Sequence, residues 1–205
     1  MYLRHISSSI KKLHKSIIPV NAMGSFVIAE TGKKYLDLTS GIGALSVGHT
    51  HPYVIKKVKE QLNSSVHLAQ QIFGGHKPIA ELNEKLVSIM PDYTKLDTFF
   101  YTNSGSESTD NAIKLARRYT NKTNIISMNG GFHGRTLGAL SVTSSNPVCK
   151  FKSQPLIPGN FFCSDFSKES LDMILSFQST PEETAAIICE PVLGESGVLV
   201  YQKIL

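Results

Sequence analysis

The sequence predicts an α/β protein with a mostly parallel sheet flanked by helices, which follows an N-terminal segment of β-ribbon and helix. Two observations carry this prediction. Short apolar runs typical of buried strands alternate with longer stretches in which apolar residues recur every three or four positions. Polar turns that contain glycine follow at residues 103–107, 130–134 and 190–195. Because ligands of such sheets bind beyond the carboxyl ends of the strands, these turns are the predicted functional region.

The N-terminal elements are predicted from turn signals and helix-start signals. Residues 26–28 and 34–38 flank a short turn and form the predicted β-ribbon, and a glycine-rich loop covers residues 40–48. Helices are predicted to begin at Pro52 and near Pro78, since proline is favoured in the first helical turn.

A strand, a tight turn and a helix are predicted in succession between residues 98 and 119. Residues 98–101 are predicted to form a short buried strand that runs directly into the turn. Ser104 and Glu107 have the spacing of a capping box, in which the two side chains satisfy backbone amides at the helix start. The predicted apolar stripe of this helix comprises Ala112, Leu115, Ala116 and Tyr119.

The remaining elements continue the alternation of strands and helices. Strands are predicted at residues 124–128 and 185–189, and a helix capped by Ser167 is predicted to reach Phe177. Residues 144–159 form the most loop-like interval.

The composition is that of a soluble globular domain. The chain has 205 residues, of which 41% are hydrophobic and 18% charged. Its net charge of +5 comes from scattered lysines and arginines, which argues against nucleic acid as a partner, and no apolar run is long enough for a transmembrane helix. The three cysteines lie far apart and form no Cys-x-x-Cys motif, which favours a reducing, intracellular compartment. No spacing among the histidines matches a zinc site, so no metal is predicted.

The first residues resemble an amphipathic mitochondrial presequence. No acidic residue precedes Glu30, and basic residues alternate with apolar ones around a serine cluster. The alternative is a short basic helix of the mature protein, so the expected compartment is the mitochondrial matrix or otherwise the cytoplasm. The basic residues of this predicted leader are Arg4, Lys11, Lys12 and Lys15.

Gly105 and Ser106 are candidate phosphate-binding residues. The start of a helix offers free amides and the positive end of a dipole, which together suit a phosphate monoester. Gly105 lets a ligand approach the backbone, and the hydroxyls of Ser104 and Ser106 can cap the helix or donate to the ligand. The alternative is that this Ser-Gly-Ser sequence is only a helix cap.

Residues 132–136 bring an aromatic ring, an imidazole and a guanidinium to one strand end. Phe132 can stack on a flat heteroaromatic ligand, with His133 beside it. Arg135 can grip a carboxylate with two parallel hydrogen bonds. The alternative places Phe132 in the core and Arg135 in a surface ion pair.

Two carboxylates follow the last predicted strand. Glu190 and Glu195 lie five residues apart across a turn and can orient a cofactor or move protons. The alternative is that one carboxylate caps a helix and the other is solvated.

Taken in order along the chain, these segments resemble the class III aminotransferases, which are pyridoxal-phosphate enzymes of fold type I. The resemblance implies an enzyme that transfers an amino group from an amino acid to a 2-oxo acid with pyridoxal 5'-phosphate as cofactor, and a homodimer when the protein is full length. Racemases of the family share the same segments. The matching segments are residues 32–37, 40–43, 48–52, 103–107, 114–117, 132–136 and 185–195.

The resemblance implies a role for each cofactor-binding position. Gly105 and Ser106 match residues that bind the coenzyme phosphate. Phe132 matches the aromatic residue that stacks on the pyridine ring, with His133 beside it. Glu190 matches a carboxylate near the coenzyme.

The substrate positions resemble those of enzymes that act on 4-aminobutyrate. Arg135 matches the arginine that grips a substrate carboxylate. Glu195 matches a glutamate with a catalytic role, which pairs with a late arginine to switch between the two half-reactions. Ile42 stands where bacterial aminobutyrate enzymes have an aliphatic residue and ornithine enzymes an aromatic one, which favours an aminobutyrate-like ω-amino acid as donor.

The same resemblance predicts that the chain is the front half of a longer enzyme whose C-terminal part is missing. In the family pattern the Schiff-base lysine and the small C-terminal domain lie beyond Leu205. Residues 1–50 are then expected to form an N-terminal segment, and residues 51–205 an incomplete coenzyme-binding domain. Two hypotheses follow: the chain is part of an active transaminase, or it is a catalytically inactive short product that binds at most phosphate or a homologous subunit.

Overall fold

The computed structural model describes residues 5–7, 14, 16–69, 72–165 and 167–200. The contacts of the chain group it into two compact units, divided between Leu96 and Asp97. This division differs in position from the domain boundary predicted at residue 50, which stays a prediction. The basic residues of the predicted leader, Arg4, Lys11, Lys12 and Lys15, lie outside the described residues.

The first unit begins with a three-stranded antiparallel sheet. Strands β1 (Pro19–Met23), β2 (Phe26–Ala29) and β3 (Lys34–Leu36) pair in chain order. Strands β2 and β3 confirm the predicted ribbon, and β1 adds an edge strand to it. Gly24 and His49 exchange two backbone hydrogen bonds, at 2.9 and 2.8 Å, which close the glycine-rich loop against the sheet.

A short turn and two helices complete the first unit. The turn, α1 (Ser40–Gly43), contains Ile42 with a φ of 60°, a backbone conformation that a β-branched residue rarely adopts. Helices α2 (Pro52–Leu62) and α3 (Lys77–Ile89) each have proline in the first turn, as predicted. A 3₁₀ turn follows at Asp92–Thr94.

The second unit contains a parallel sheet with its first strand at the centre. Strand β4 (Asn124–Met128) pairs with β5 (Asn160–Cys163) on one side and β6 (Thr184–Ile188) on the other. The order β5-β4-β6 and the parallel pairing confirm the predicted sheet. A small antiparallel pair, β7 (Val192–Leu193) and β8 (Leu199–Val200), follows β6.

Each strand of the parallel sheet is preceded in the chain by one helix. These helices are α4 (Gly105–Thr120), α5 (Leu137–Val142) and α6 (Lys168–Phe177), and a 3₁₀ turn forms at Pro147–Lys150. The Ser167 hydroxyl accepts from the Ser170 amide at 3.1 Å, which confirms the predicted cap of α6. Among the described residues, no helix is long and apolar enough to cross a membrane.

The core shows why the helices flank the sheet on two faces. Successive side chains of a strand point to opposite faces. Ile125 of β4 therefore packs with Ile113 of α4 and Val142 of α5, while Ile126 of the same strand packs with Ile174 of α6. The result is an α/β/α arrangement in which the carboxyl ends of β4 and β6 lie side by side.

Two predictions between residues 98 and 119 are wrong. Residues 98–101 form no strand, and Phe100 is 78% exposed, because an apolar run becomes a buried strand only where neighbouring strands pair with it. The predicted apolar stripe of α4 also points away from the sheet, since Leu115 is 67% and Tyr119 87% exposed. Ile113 is the buried residue of α4, so this helix has apolar residues on two faces and the spacing did not identify the one that packs.

Candidate active site

The N-terminus of α4 is built by a reciprocal cap. Ser104 has an extended backbone, and its hydroxyl accepts from the Glu107 amide at 3.2 Å. The Glu107 carboxylate in turn accepts from the Asn103 amide at 2.7 Å, one residue before the position that the capping-box pattern predicts. The amides of Gly105 and Ser106 precede the first amide that helical geometry can satisfy, so they remain for a ligand.

The turn after β4 is held by serine hydroxyls. The Ser144 hydroxyl accepts from the Gly130 amide at 2.9 Å and can donate to the Met128 carbonyl at 3.0 Å. The Ser196 hydroxyl donates to the Gly130 carbonyl at 2.7 Å. Gly130 has a φ of 83°, and a Cβ there would lie 2.5 Å from the Ser196 oxygen, so the turn requires glycine at this position.

The turn after β4 touches the N-terminus of α4 directly. The Ser106 hydroxyl accepts from the Arg135 amide at 3.2 Å. A Cβ on Gly134 would lie 2.8 Å from the Ser106 Cβ, so this contact depends on glycine. Because the Ser106 oxygen is the acceptor here, its own proton is available to a ligand at the helix start.

Glu190 connects the ends of β4 and β6. One carboxylate oxygen accepts from the Phe132 amide at 2.6 Å, and the other accepts from the Gly194 amide at 3.3 Å. Hydrogen bonds to a carboxylate are stronger than those between neutral groups. Glu190 therefore fixes the backbone that carries the Phe132 ring.

His133 presents a buried nitrogen with no partner. Its backbone is fixed, but its Nε2 atom is buried without a hydrogen bond to any described residue. Burial holds the pKa of His133 below its ordinary value, and the charge of Glu190 opposes that shift. A Cβ on Gly131 would lie 2.9 Å from this nitrogen, so glycine makes the room for the ring.

Arg135 and Glu195 lie exposed at the same end of the sheet. Within the described parts of the chain, no carboxylate lies within ion-pair distance of the Arg135 guanidinium, so the surface ion pair considered above does not form there. The Glu195 carboxylate accepts from the Ser145 hydroxyl at 2.6 Å. Arg135 therefore remains free for an anionic ligand.

The structure brings most of the candidate residues together at the carboxyl edge of the sheet. Glu190 and Phe132 share a hydrogen bond, as do Ser106 and Arg135. Ile42 lies in the first unit, where its side chain is 96% exposed.

Sequence reasoning missed the hydroxyl residues at positions 143–145, which hold the turn. Their signal is the run Thr-Ser-Ser directly after an apolar segment. Residues 144 and 145 fall in the interval predicted to be loop-like, and the local sequence does not show which groups their hydroxyls contact.

A parallel sheet with a helix N-terminus at its carboxyl edge is an arrangement in which α/β proteins commonly bind phosphate-bearing ligands. The family model described as aminotransferase class-III matches residues 8–204, and the chain therefore belongs to the class-III aminotransferases. This confirms the resemblance found in the sequence.

Known proteins agree on this family. The chain is 40% identical over 177 residues to an acetylornithine aminotransferase of Archaeoglobus fulgidus, covering 85% of this chain and 44% of that protein. It is 35% identical over 193 residues to a 5-aminovalerate aminotransferase of Pseudomonas putida, covering 89% of this chain and 45% of that protein. It thus spans less than half the length of these curated relatives.

A solved structure confirms the fold. A taurine:2-oxoglutarate aminotransferase from Bifidobacterium kashiwanohense, solved in complex with PLP and glutamate, superposes with a TM-score of 0.79 at 25% identity. The match covers 95% of this chain and 47% of that chain. The described α/β fold is therefore that of the front half of a fold-type-I transaminase.

Proposed function

We propose that the protein containing this chain is a pyridoxal 5'-phosphate-dependent transaminase, which moves an amino group from an ω-amino acid to a 2-oxo acid. One observation carries the proposal: the start of α4 and the turn that bears Phe132 and Arg135 are joined through the Ser106 hydroxyl. A phosphate at the helix start would therefore lie beside an aromatic ring and a free guanidinium. The class-III family and the PLP complex of the Bifidobacterium enzyme support the same coenzyme.

The residues present fit this coenzyme. The amides of Gly105 and Ser106 and the free Ser106 proton would hold its phosphate at the positive end of α4. Phe132 would cover one face of the ring, and the unpartnered Nε2 of His133 offers a further hydrogen bond. When bound, the coenzyme supplies an electron sink for the carbon that loses its proton.

The exposed residues Arg135 and Glu195 favour an amino donor that carries a carboxylate. The exposed guanidinium of Arg135 would bind that carboxylate through two parallel hydrogen bonds, which keep the donor in one orientation. Glu195, held by Ser145, adds a negative charge at the same edge and would pair with a cationic group in one of the half-reactions. The relative named for 5-aminovalerate supports a donor of the 4-aminobutyrate type.

The proposal is tested on the complete protein with 2-oxoglutarate and three donors: 4-aminobutyrate, 5-aminovalerate and N-acetylornithine. We expect bound coenzyme in the absorbance spectrum and glutamate as product. Arg135→Lys should raise the KM for 4-aminobutyrate by roughly 10-fold or more, because a lysine cannot form the paired hydrogen bonds. The control Arg118→Lys changes the same residue type on an exposed part of α4 and should leave the KM unchanged.

Two outcomes would count against the proposed function. A protein that binds no pyridoxal phosphate contradicts the coenzyme assignment. A protein that binds it but forms no glutamate from any donor supports the alternative of an inactive binding protein.

A further inference from the structure

We propose that Thr143 is a positioning residue of this site, whose buried hydroxyl fixes the turn that carries Phe132, His133 and Arg135. The inference rests on the proposed function for its link to the coenzyme. Thr143 stands directly after α5 and is 0% exposed, so it touches neither solvent nor a ligand. It would act only through the backbone of the turn.

The Thr143 hydroxyl uses both its acceptor and its donor capacity. Its oxygen accepts from the His133 amide at 3.0 Å. Its proton can go to the Ala139 carbonyl at 2.8 Å or to the Gly134 carbonyl at 3.2 Å. One atom thus ties the turn to α5, whose residues 138–142 are themselves buried.

Side chains hold the backbone of residues 132–135. The Thr109 hydroxyl donates to the His133 carbonyl at 2.9 Å, while the amide of the same residue donates to Thr143. Glu190 and Ser106 hold the two ends of the turn, but both are proposed to meet the coenzyme or its surroundings. Thr143 is the fully buried member of this group and so supplies an anchor that ligand binding does not disturb.

The position of the turn decides where the ring of Phe132 and the imidazole of His133 lie. A displacement of about 1 Å in a positioned group can cost roughly two orders of magnitude in rate. The loss of the Thr143 hydroxyl leaves the His133 amide without its acceptor, and the turn can then move. Coenzyme affinity should fall even though Thr143 makes no contact with the coenzyme.

Ser141 provides a matched control for a purely structural effect. It lies on α5, is 4% exposed, and its hydroxyl donates to the Leu137 carbonyl at 2.6 Å. The same oxygen accepts from the Ile157 amide at 3.0 Å, in a different loop. Ser141→Ala therefore removes a buried hydroxyl two residues before Thr143, and the hydrogen bonds of that hydroxyl do not reach the turn.

The experiment uses the complete protein, freed of coenzyme and titrated with pyridoxal 5'-phosphate. Thr143→Val keeps the shape and removes the hydroxyl, and we expect its Kd to rise roughly 10-fold or more. Thr143→Ser should bind as the unaltered protein does, and Ser141→Ala should lower the melting temperature without a change in Kd. Amide hydrogen exchange at residues 132–135 should become faster in Thr143→Val alone.

Each remaining outcome decides against the inference or against the proposed function. Equal changes of Kd in Thr143→Val and Ser141→Ala, or no rescue by Thr143→Ser, would show that Thr143 contributes only to stability. If Thr143→Val does not fold, Thr143→Ala is compared with Thr143→Ser, since these two differ only in the hydroxyl. If the unaltered protein binds no pyridoxal phosphate, the proposed function fails, while the exchange rates still report whether the hydroxyl holds the turn.

Discussion

At the scale of single residues, the site is defined by polar atoms that the fold leaves incompletely satisfied. Buried polar groups in proteins almost always have partners, so each exception needs an explanation, of which a bound ligand is one. The Nε2 atom of His133 has no partner among the described residues, and the Ser106 hydroxyl proton is free while its oxygen is engaged. Both atoms belong to residues that hold or border the same turn.

His133 is expected to take up its proton at a lower pH than an ordinary histidine, whose pKa is about 6.5. Burial lowers its folded-state pKa, so between the folded and unfolded values only the unfolded chain takes up the proton. Stability from this group is therefore present above about pH 6.5 and is lost as the pH falls below it. Nitrogen chemical shifts of the ring, assigned with His133→Gln, measure the titration. A midpoint at or above 6.5 would contradict the predicted environment.

At the scale of elements, the helices that could be predicted are those whose first residues carry a local start signal. Ser104, Ser167, Pro52 and Pro78 each mark a helix start, and the helices begin there or one residue away. The six-residue helix α5 was not predicted. Its residues are buried from Gly138 onward, so its sequence lacks the alternation of polar and apolar residues that identifies a helix.

The site itself was predictable only in part. Phe132 and Arg135 follow β4 and Glu190 follows β6, so their shared edge was predictable from the parallel topology. The strand predicted before Gly105 does not form, so the position of Gly105 does not follow from that topology. The hydrogen bond from the Phe132 amide to Glu190 spans 58 positions in the chain, and such tertiary pairing leaves no local pattern.

The two serine caps of the second unit separate helix stability from ligand binding. Ser104 caps α4 at 3.2 Å and Ser167 caps α6 at 3.1 Å through the same type of bond. Replacing either serine by alanine should lower the stability of the protein by about 1 kcal/mol. Only Ser104→Ala should also weaken the binding of pyridoxal phosphate, because only α4 begins next to Ser106. Chemical denaturation and coenzyme titration check this, and equal effects of both variants on affinity would refute the phosphate site at α4.

In the first unit, Asp37 organises the loop that presents Ile42. Its pKa lies well below the usual range because the Thr39 hydroxyl and then His49 donate hydrogen bonds to it, at 2.6 and 2.8 Å. A carboxyl whose pKa is lowered by folding stabilises the fold above about pH 4 and loses that contribution as the pH falls further.

Asp37→Asn should therefore reduce the fall in melting temperature between pH 5 and pH 2. Its asparagine can keep part of the hydrogen bonding but carries no charge to titrate. Asp92→Asn changes an exposed acidic residue in the same unit and should leave the fall in melting temperature between pH 5 and pH 2 unchanged. Melting curves across this pH range decide the matter, and parallel curves for Asp37→Asn and the unaltered protein would show that this carboxylate does not govern acid stability.

At the scale of the whole molecule, several large apolar side chains of the second unit lie exposed on and near α4, among them Phe100, Leu115 and Tyr119. The outer face of α4 forms a groove of about 390 Å³, whose lining includes Phe100, Ala112 and Leu115 as well as the basic residues Lys114 and Arg118. Large contiguous apolar patches on a protein surface favour association. The same helix thus offers its N-terminus to the proposed ligand and its apolar outer face to solvent.

The 205-residue chain should therefore self-associate at micromolar concentration, and Leu115→Lys should weaken that association. Leu115 is 67% exposed, so the substitution removes apolar surface and adds charge without opening a cavity in the core around Ile113. Met173→Lys is the matched control, because Met173 is 59% exposed on α6 and does not line the groove. Light scattering after size-exclusion chromatography over a range of concentrations measures the effect. If the unaltered chain remains a monomer throughout, or if both substitutions reduce association equally, the groove is not the surface that drives it.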